Sequence, residues 1–321
     1  MAVKDILDLI EKEIARQEYG QRPRSLYEPI RYIMGLGGKR IRPLLTCLGY
    51  AAFKNDVEKV VPAAVCVEAF HNFTLMHDDI MDNAPMRRGK ATVHVKWDTP
   101  TAILSGDVML VKVYEMLLER VPKEYLVDAL SLFSRTAVQV CEGQQLDMEF
   151  ERAQKVKEDG YIEMIGLKTA ALIGFSLEFG ALLAGASASD RDAMNRFGTN
   201  LGIGFQLHDD YLDVYAKGKK FGKQIGGDII SNKKTFLLIK ATEHAKGKTA
   251  SELQKWLKAK TFVKAKKVKA VTSIYDGLGV PDLTLARMQR FFDQAIADLS
   301  KVNGSKEELR DFASGLMNRA H

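Results

Sequence analysis

The sequence predicts an all-α protein that forms a single large helical bundle, and three observations lead to this prediction. The eight prolines lie at or before Pro122 except for Pro281, so residues 123–280 contain none and can run in long helices. Apolar residues recur every three or four positions in the opening segments, which is the helical period. The 321 residues are 46% hydrophobic and 27% charged, a composition that excludes disorder and allows a large buried core.

The elements follow from this periodicity in order. Two opening helices are expected around residues 6–14 and 27–34, each followed by Gly or Pro. An alternation over Ala91–Trp97 resembles a strand but is too short to found a sheet. Neither an internal repeat nor a linker rich in Pro, Ser or Gly divides the chain, so one domain over 1–321 is expected. The further predicted helices cover 40–53, 58–83, 101–119, 123–150, 160–186, 189–214, 231–246, 249–257, 264–277 and 283–316.

Several features bear on the cellular compartment. The three cysteines are odd in number and form no Cys-x-x-Cys pair, so neither a disulfide framework nor a thiolate metal site is expected. The N-terminus lacks the apolar stretch of a signal peptide. The apolar segment Thr169–Ala186 is interrupted by Glu178 and is interpreted as a helix buried in the bundle. A cytoplasmic protein without a transmembrane segment is predicted.

The positive charge is concentrated in one segment. The net charge is +6, but residues 214–270 hold sixteen lysines and three acidic residues, which gives +13 there and −7 elsewhere. Nucleic acid, an anionic membrane or a phosphate-bearing substrate would suit such a segment, although a solvated helix surface also explains Lys255–Lys269. The segment lacks the regular interleaving of aromatic residues expected of a single-strand platform, so no nucleic-acid partner is predicted.

The first chemical signal is a cluster of three aspartates, Asp78, Asp79 and Asp82, at the end of an apolar segment that Pro85 closes. On a helix, Asp78 and Asp82 share a face. Carboxylates at that spacing repel each other unless cations lie between them. An EF-hand is excluded because Ile80 occupies a ligand position and the loop glycine is absent.

A second cluster repeats the spacing after another apolar helix, with Asp209, Asp210 and Asp213 preceded by Gln206 on the same side. A single such cluster is usually an exposed acidic helix end, but two copies make that interpretation improbable. Mg²⁺ takes one or two carboxylates together with water and phosphate oxygens. The two clusters together therefore predict a polyphosphate bound through metal ions.

Basic residues accompany the first cluster. Arg87 and Arg88 follow the helix end, where their guanidinium groups can reach phosphate oxygens. The glycine-containing turn at residues 37–43 carries three further cations, which alone is a weak signal because it is neither a Walker loop nor a dinucleotide fingerprint. His71 lies seven residues before Asp78 and shares its helix face, where a core histidine is the default interpretation.

With these residues taken together, the chain resembles the trans-isoprenyl diphosphate synthases of the polyprenyl synthetase family. The resemblance runs in motifs from Gly37 to Thr235. It rests on the joint occurrence of two DDxxD motifs, GGKRIRP, RRG, GQxxD at Gly143, Gln144 and Asp147, the pair Lys168 and Thr169, and GGDIxxNKKT. The resemblance implies an all-α bundle around a deep central cavity, usually as a homodimer.

The resemblance also implies a role for each matching residue. The metal ligands for about three Mg²⁺ ions would be Asp78, Asp79, Asp82, Asp209, Asp210 and Asp213. The diphosphate of an allylic substrate (dimethylallyl, geranyl or farnesyl) would contact Arg87, Lys168, Lys223 and Lys233. The diphosphate of isopentenyl diphosphate would contact Gly38, Lys39, Arg42, His71 and Arg88. The allylic carbons would face Gln206, Lys168 and Thr169.

Product length is expected to depend on the helix that carries the first cluster. Phe73 and Thr74 lie five and four positions before Asp78, so Phe73 is a candidate floor for the growing chain. One aromatic residue here, without an insertion in the motif, resembles enzymes that make geranylgeranyl diphosphate (C20). Farnesyl diphosphate (C15) and longer products are the alternatives.

Two other classes of protein share part of this pattern. A terpene cyclase shares the first aspartate motif, but its second metal site normally has an Asn/Ser/Glu pattern. A non-catalytic subunit of a heteromeric synthase often loses one aspartate motif, whereas both are complete here. The sequence therefore favours an active prenyltransferase.

Overall fold

The computed structural model describes residues 1–216 and 226–317. Over these ranges the first eight α-helices are α1 (Val3–Arg16), α2 (Arg24–Met34), α3 (Ile41–Ala51), α4 (Val61–Met81), α5 (Val93–Lys96), α6 (Thr99–Arg120), α7 (Lys123–Arg152) and α8 (Glu158–Ile165). The others are α9 (Ala171–Leu183), α10 (Ala188–Tyr215), α11 (Gly227–Ser231), α12 (Phe236–His244), α13 (Gly247–Lys258), α14 (Lys264–Gly277), α15 (Val280–Ser300) and α16 (Glu307–Met317). The predicted all-α class is confirmed.

Three short elements complete the described chain. A 3₁₀ turn covers Val57–Lys59, and a π-helical segment, Gly166–Ala170, joins α8 to α9. Strands β1 (Met86–Arg87) and β2 (Lys90–Ala91) form an antiparallel hairpin. Lys223 and the last four residues, 318–321, lie outside the described residues.

The chain divides into two compact units. The first unit comprises residues 1–136, 173–195 and 301–309. Helix α4 forms its centre, and every residue from Ala63 to Phe70 is buried. Close helix approaches depend on glycine here: a Cβ at Gly180 on α9 would lie 2.0 Å from the Thr46 carbonyl oxygen. The Glu178 carboxylate of this apolar helix accepts a hydrogen bond from Asn195 at 2.7 Å, so its polar group is satisfied.

The second unit comprises residues 137–172, 196–300 and the chain from 310 onward. Part of its core is a cluster of buried apolar side chains from the end of α10 and from α11 to α14. Amphipathic spacing explains this, because each of these helices turns one apolar face inward. The members include Val214, Ile229, Leu237, Leu253, Val271 and Tyr275.

Two sequence predictions of elements were wrong. Residues Ala91–Trp97 do not form a strand, because they end the hairpin and then enter α5. The hairpin turn is Arg88 and Gly89, both with positive φ (52° and 74°), the geometry of a tight two-residue hairpin. The predicted helix 283–316 is interrupted between α15 and α16, where the Ser305 amide bonds the Ala52 carbonyl at 2.8 Å.

One helical stretch of the described chain, Glu158–Leu183, is long and apolar enough to cross a membrane. Its most apolar window is 72% buried within the protein. A buried core helix passes the same test of length and composition, so this stretch is weak support for a membrane span.

Candidate active site

The first aspartate cluster closes α4 and is tied to the hairpin. Arg87 on β1 donates from Nε to both carboxylate oxygens of Asp79, at 3.0 and 2.8 Å, and from Nη2 to Oδ1 at 2.8 Å. Asp79 is buried. Arg87 Nη2 also lies 3.9 Å from Asp78 Oδ2. The hairpin therefore places a guanidinium group directly beside the cluster.

The three carboxylates differ in exposure. Asp79 is buried and engaged by Arg87, whereas the Asp78 side chain is 21% exposed and Asp82 is exposed. No three His, Cys, Asp or Glu side chains within 1–216 and 226–317 surround a metal position on their own. The carboxylates alone are too few to complete the coordination of a metal ion. They fit a hard divalent cation that takes water and phosphate oxygens as its remaining ligands.

The glycine turn before α3 contacts the hairpin. Gly38 has φ +149°, and a Cβ there would lie 2.9 Å from the Arg88 guanidinium group. The same guanidinium donates to the Gly37 carbonyl oxygen. Lys39 is exposed. Glycine at position 38 therefore makes room for Arg88, and the turn and the hairpin bring two predicted diphosphate-binding residues together.

Arg42 and His71 form a hydrogen-bonded pair beside this turn, with Nη1 and Nε2 3.0 Å apart. Burial, and then the positive charges of Arg42 and Arg88, holds the pKa of His71 well below its usual value. Neutral His71 therefore accepts from Arg42. Burial also lowers the pKa of Arg42 to about 10, against the opposing effect of Glu68, so Arg42 stays cationic at neutral pH. Its buried Nε has no partner among the described residues.

Arg40, the third cation of the turn, has a different place. It is buried, with φ 46°, and donates to Glu11 and Glu68 at 2.8 Å each and to the Met34 carbonyl at 3.0 Å. Both carboxylates and a carbonyl therefore satisfy its guanidinium group. Arg40 joins α1, α2 and α4, and Lys39, Arg42 and Arg88 are the cations left for a ligand.

Phe73 lies on α4 as predicted, buried at 8% exposure. Its ring centroid is 5.7 Å from that of Phe70 and 4.9 Å from that of His77. The neighbouring Thr74 donates to the His71 carbonyl at 2.8 Å. Phe73 is thus part of an aromatic row along α4, which is consistent with a floor below the cluster.

In the second unit, Lys168 and Thr169 lie in the π-helical segment between α8 and α9. Such segments are rare and occur often at functional sites. Helix α7 approaches the segment closely, since a Cβ at Gly143 would lie 2.2 Å from the Lys168 amide nitrogen. One turn further along α7, Asp147 accepts from Lys168 Nζ at 2.6 Å. The GQxxD motif thus supplies both the close approach and the counter-ion.

A hydrogen-bond chain connects the remaining predicted catalytic groups. Thr169 donates to Gln206 Oε1 at 3.2 Å, and Gln206 Nε2 donates to Asp210 Oδ1 at 3.0 Å. Tyr161 on α8 donates to the other oxygen of Asp210. Burial and the nearby Asp228 raise the pKa of Asp210 to about 7, although Tyr161 and Gln206 act in the opposite direction. Asp210 therefore points into the unit and orients the Gln206 amide.

The other two aspartates of this cluster have different surroundings. Asp209 is exposed, whereas Asp213 is half-buried and accepts from the Asp228 amide at 3.0 Å. Lys233, just after α11, is exposed, and its backbone amide donates to the Asp228 carbonyl at 2.9 Å. Asp209 is thus the member of the cluster best exposed for a metal ion.

Sequence reasoning did not single out two of these functional groups. Tyr161 lies 49 positions from its partner Asp210, and no local pattern marks it. The role of Asp147 as the partner of Lys168 also needed the structure, although the motif spacing drew attention to it. Arg40 was counted only as one of three cations in the turn, and the sequence alone does not show that it is the internal one.

Comparisons with known proteins identify the family of this chain. The family model described as polyprenyl synthetase matches residues 23–275, and the chain belongs to this family. It is 38% identical to a geranylgeranyl pyrophosphate synthase of Geoglobus acetivorans over 99% of this chain and 98% of that one. A geranylgeranyl diphosphate synthase of Methanosarcina mazei is 44% identical over 69% of each chain. The protein is therefore a prenyltransferase, as predicted.

Solved structures show the same likeness. A crystal structure of a geranylgeranyl pyrophosphate synthase superposes with a TM-score of 0.94 at 38% identity, covering 99% of both chains. A polyprenyl synthase from Caulobacter crescentus, solved with calcium and isoprenyl diphosphate, has a TM-score of 0.81 at 27% identity and covers 99% of this chain and 92% of that one. The family consists of divalent-metal-dependent enzymes that use isopentenyl and allylic diphosphates.

Proposed function

We propose that this protein condenses isopentenyl diphosphate with an allylic diphosphate and releases geranylgeranyl diphosphate, the C20 product. One observation carries the proposal: the first unit holds two different anion-binding features beside one hairpin. Arg42 and Arg88 form a cationic site around neutral His71, whereas Arg87 lies against a carboxylate cluster suited to metal ions. Two diphosphates, one bound directly and one through metal, match these two features.

Isopentenyl diphosphate binds at the cationic site in this proposal. The buried Nε of Arg42, the Arg88 guanidinium and the exposed Lys39 are donors for its phosphate oxygens. His71 accepts from Arg42 and fixes the direction of that side chain. Gly38 has no Cβ, so the backbone of the turn can come close to the phosphate oxygens.

The allylic diphosphate is the leaving group. About three Mg²⁺ ions, with ligands drawn from both aspartate clusters, would neutralise charge on its diphosphate. Arg87, Lys168, Lys233 and Lys223, the last outside the described residues, stabilise the same charge as the C–O bond breaks. Gln206 and Thr169 present oxygen atoms to the allylic cation, held in orientation by Asp210.

The reaction then needs no protein nucleophile. The double bond of isopentenyl diphosphate attacks the allylic cation and forms the new C–C bond, and the released diphosphate takes the proton that leaves the adjacent carbon. Water would quench the cation, so apolar surroundings favour condensation. Several relatives named as geranylgeranyl diphosphate synthases, at 38–44% identity, support C20 over C15 or longer products.

We also propose a cytoplasmic homodimer. Helix α6 exposes three apolar side chains seven residues apart, Leu104, Val111 and Leu118, each more than half exposed. This spacing places them on one helix face. A second copy of the chain that covers this row would remove it from water, which is the main driving force of association.

The test is an assay with radiolabelled isopentenyl diphosphate, Mg²⁺ and each allylic primer from C5 to C15, with products sized by chromatography. We expect a C20 product. Asp78→Ala and Asp209→Ala should each reduce turnover by a factor of about 10³ or more, while circular dichroism shows the fold intact. Condensation at the wild-type rate in either variant would refute the metal assignment. A folded protein without condensation on any primer would instead indicate a cyclase or a non-catalytic subunit.

A further inference from the structure

We infer that the end of the second unit formed by α13 and α14 is a docking surface for an anionic lipid bilayer. This surface, called the lysine tip, comprises residues 255–269. It holds seven lysines, and no acidic residue occurs between Leu253 and Tyr275. Six of the seven are exposed: Lys255, Lys258, Lys260, Lys264, Lys266 and Lys269. The proposed reaction uses none of them.

The charges surround an apolar centre. The connection between the two helices carries Phe262, which is half-buried, and Val263, which is 59% exposed. Lys258 and Lys260 precede this pair in the sequence, and Lys264 and Lys266 follow it. Side chains of this kind suit a bilayer interface, because lysines attract anionic headgroups while apolar groups enter the boundary with the acyl chains.

The position of the lysines argues against a role in stability. Helix α14 begins with Lys264, and exposed Lys266 also lies in its first turn, which contains no acidic residue and no side-chain cap. Positive charge at a helix N-terminus opposes the helix dipole and destabilises the helix. A set of charges that weakens its own helix is best explained by an external anionic partner.

The seventh lysine holds the tip in place. Lys267 is fully buried, and its Nζ donates to Asn232 Oδ1 at 2.6 Å and to the Ile230 carbonyl at 3.2 Å. The same ammonium group lies 4.3 Å from the centre of the Phe262 ring. These contacts attach the lysine tip to α11, so the exposed lysines extend from a part of the chain that is held in place.

A bilayer fits these observations better than nucleic acid. A single-strand platform needs exposed aromatic rings on which bases stack. Here Trp256 packs against the hydrophobic cluster of the unit, and the Phe262 ring lies against the Lys267 ammonium. Both rings already have partners within the chain, and exposed Val263 offers nothing to a phosphate backbone.

The experiment measures co-sedimentation of the full-length protein with vesicles of phosphatidylcholine alone and of phosphatidylcholine with one quarter phosphatidylglycerol. We expect binding to the anionic vesicles at low salt, loss of binding at high salt, and none to neutral vesicles. Changing Lys258, Lys260, Lys264 and Lys266 to Gln should weaken binding by at least about 100-fold, since each lysine near an anionic surface contributes about fivefold.

Matched controls separate the lysine tip from net charge. Changing the exposed lysines Lys4, Lys12, Lys54 and Lys123 to Gln removes the same charge from the first unit and should leave vesicle binding nearly unchanged. Equal loss in both quadruple variants would overturn the proposal. Condensation without vesicles should be the same in both variants and in wild type, so failure of docking is distinguishable from failure of the proposed reaction.

The apolar centre has its own control. Val263→Ser should weaken binding to anionic vesicles by about threefold, whereas Val127→Ser, at a 79% exposed position of the first unit, should have no effect. A DNA duplex tested by fluorescence anisotropy provides the competing outcome. If the duplex binds as tightly as the anionic vesicles and the lysine-tip variant loses both, the bilayer assignment is wrong.

Discussion

Arg87 encloses the carboxylate of Asp79 with three hydrogen bonds, and this pair joins the hairpin to the end of α4. A lysine at position 87 would keep the positive charge but could not make the forked hydrogen bonds of the guanidinium group. We expect Arg87→Lys to reduce kcat/KM by about 100-fold and the free energy of unfolding by about 1–3 kcal/mol. Steady-state kinetics and denaturant titration measure the two effects. Arg24→Lys is the control, because Arg24 pairs with Glu28 at the exposed surface; an equal effect there would contradict the prediction.

The pKa of His71 predicts how stability depends on pH. Because the pKa is lower in the folded protein than in the unfolded chain, the unfolded chain takes up the proton first as pH falls below about 6.5. The stabilisation is complete above that pH and decreases below it, by at most about 1.4 kcal/mol per pH unit. The raised pKa of Asp210 acts in the opposite direction over this range, but it is common to wild type and variant. Between pH 6.5 and 5, the stability of wild type relative to His71→Gln, measured by urea unfolding, should therefore decrease as pH falls. The exposed His244→Gln control should follow the wild type.

Tyr161 should affect turnover without touching substrate. Its hydroxyl holds Asp210, which orients Gln206. We expect Tyr161→Phe to lower kcat by about tenfold and leave the KM for isopentenyl diphosphate unchanged. Tyr50→Phe removes a comparable bond, to Asp56 at 2.9 Å, and should cost stability only. If both variants lose stability alone, Tyr161 has no positioning role.

Removal of Phe73 should lengthen the product. Phe73→Ala opens space in the aromatic row of α4, so we expect products longer than C20 by chromatography, together with a loss of about 3–5 kcal/mol in unfolding free energy. Phe179→Ala is the control, because Phe179 is also buried but lies on α9, where it stacks on Phe175 at 5.2 Å. A control that also changed product length would point to general loosening of the core.

The sequence predicted what local patterns carry. Helix α4 and its aspartates were located correctly because apolar periodicity, two shared-face carboxylates and a following proline all act within a few turns. Apolar periodicity and the same carboxylate spacing also located α10, which no nearby proline follows. The strand prediction over Ala91–Trp97 was wrong because this segment contains the end of a two-residue strand and a one-turn helix. Elements this short do not show whether apolar residues recur with the period of a strand or of a helix.

Groups whose role depends on distant partners escaped prediction. Which arginine of the glycine turn is internal depends on Glu11 and Glu68, and neither is near it in sequence. The partner of Tyr161 is Asp210 on α10, 49 positions away in sequence. The π-helical segment at Lys168 leaves the apolar pattern of its helix nearly unchanged, so only backbone geometry reveals it.

Side chains at helix crossings usually act as spacers, and replacing one by a longer or shorter one adjusts the gap. At Gly143 the peptide backbones of α7 and the π-helical segment meet with no spacer between them. The backbones that carry Asp147 and Lys168 therefore meet without an intervening side chain, and their spacing is set by contacts between peptide atoms. In the proposed reaction, substitutions at Phe73 would therefore change the product length while the Lys168–Asp147 pair, which belongs to the other unit, keeps its spacing.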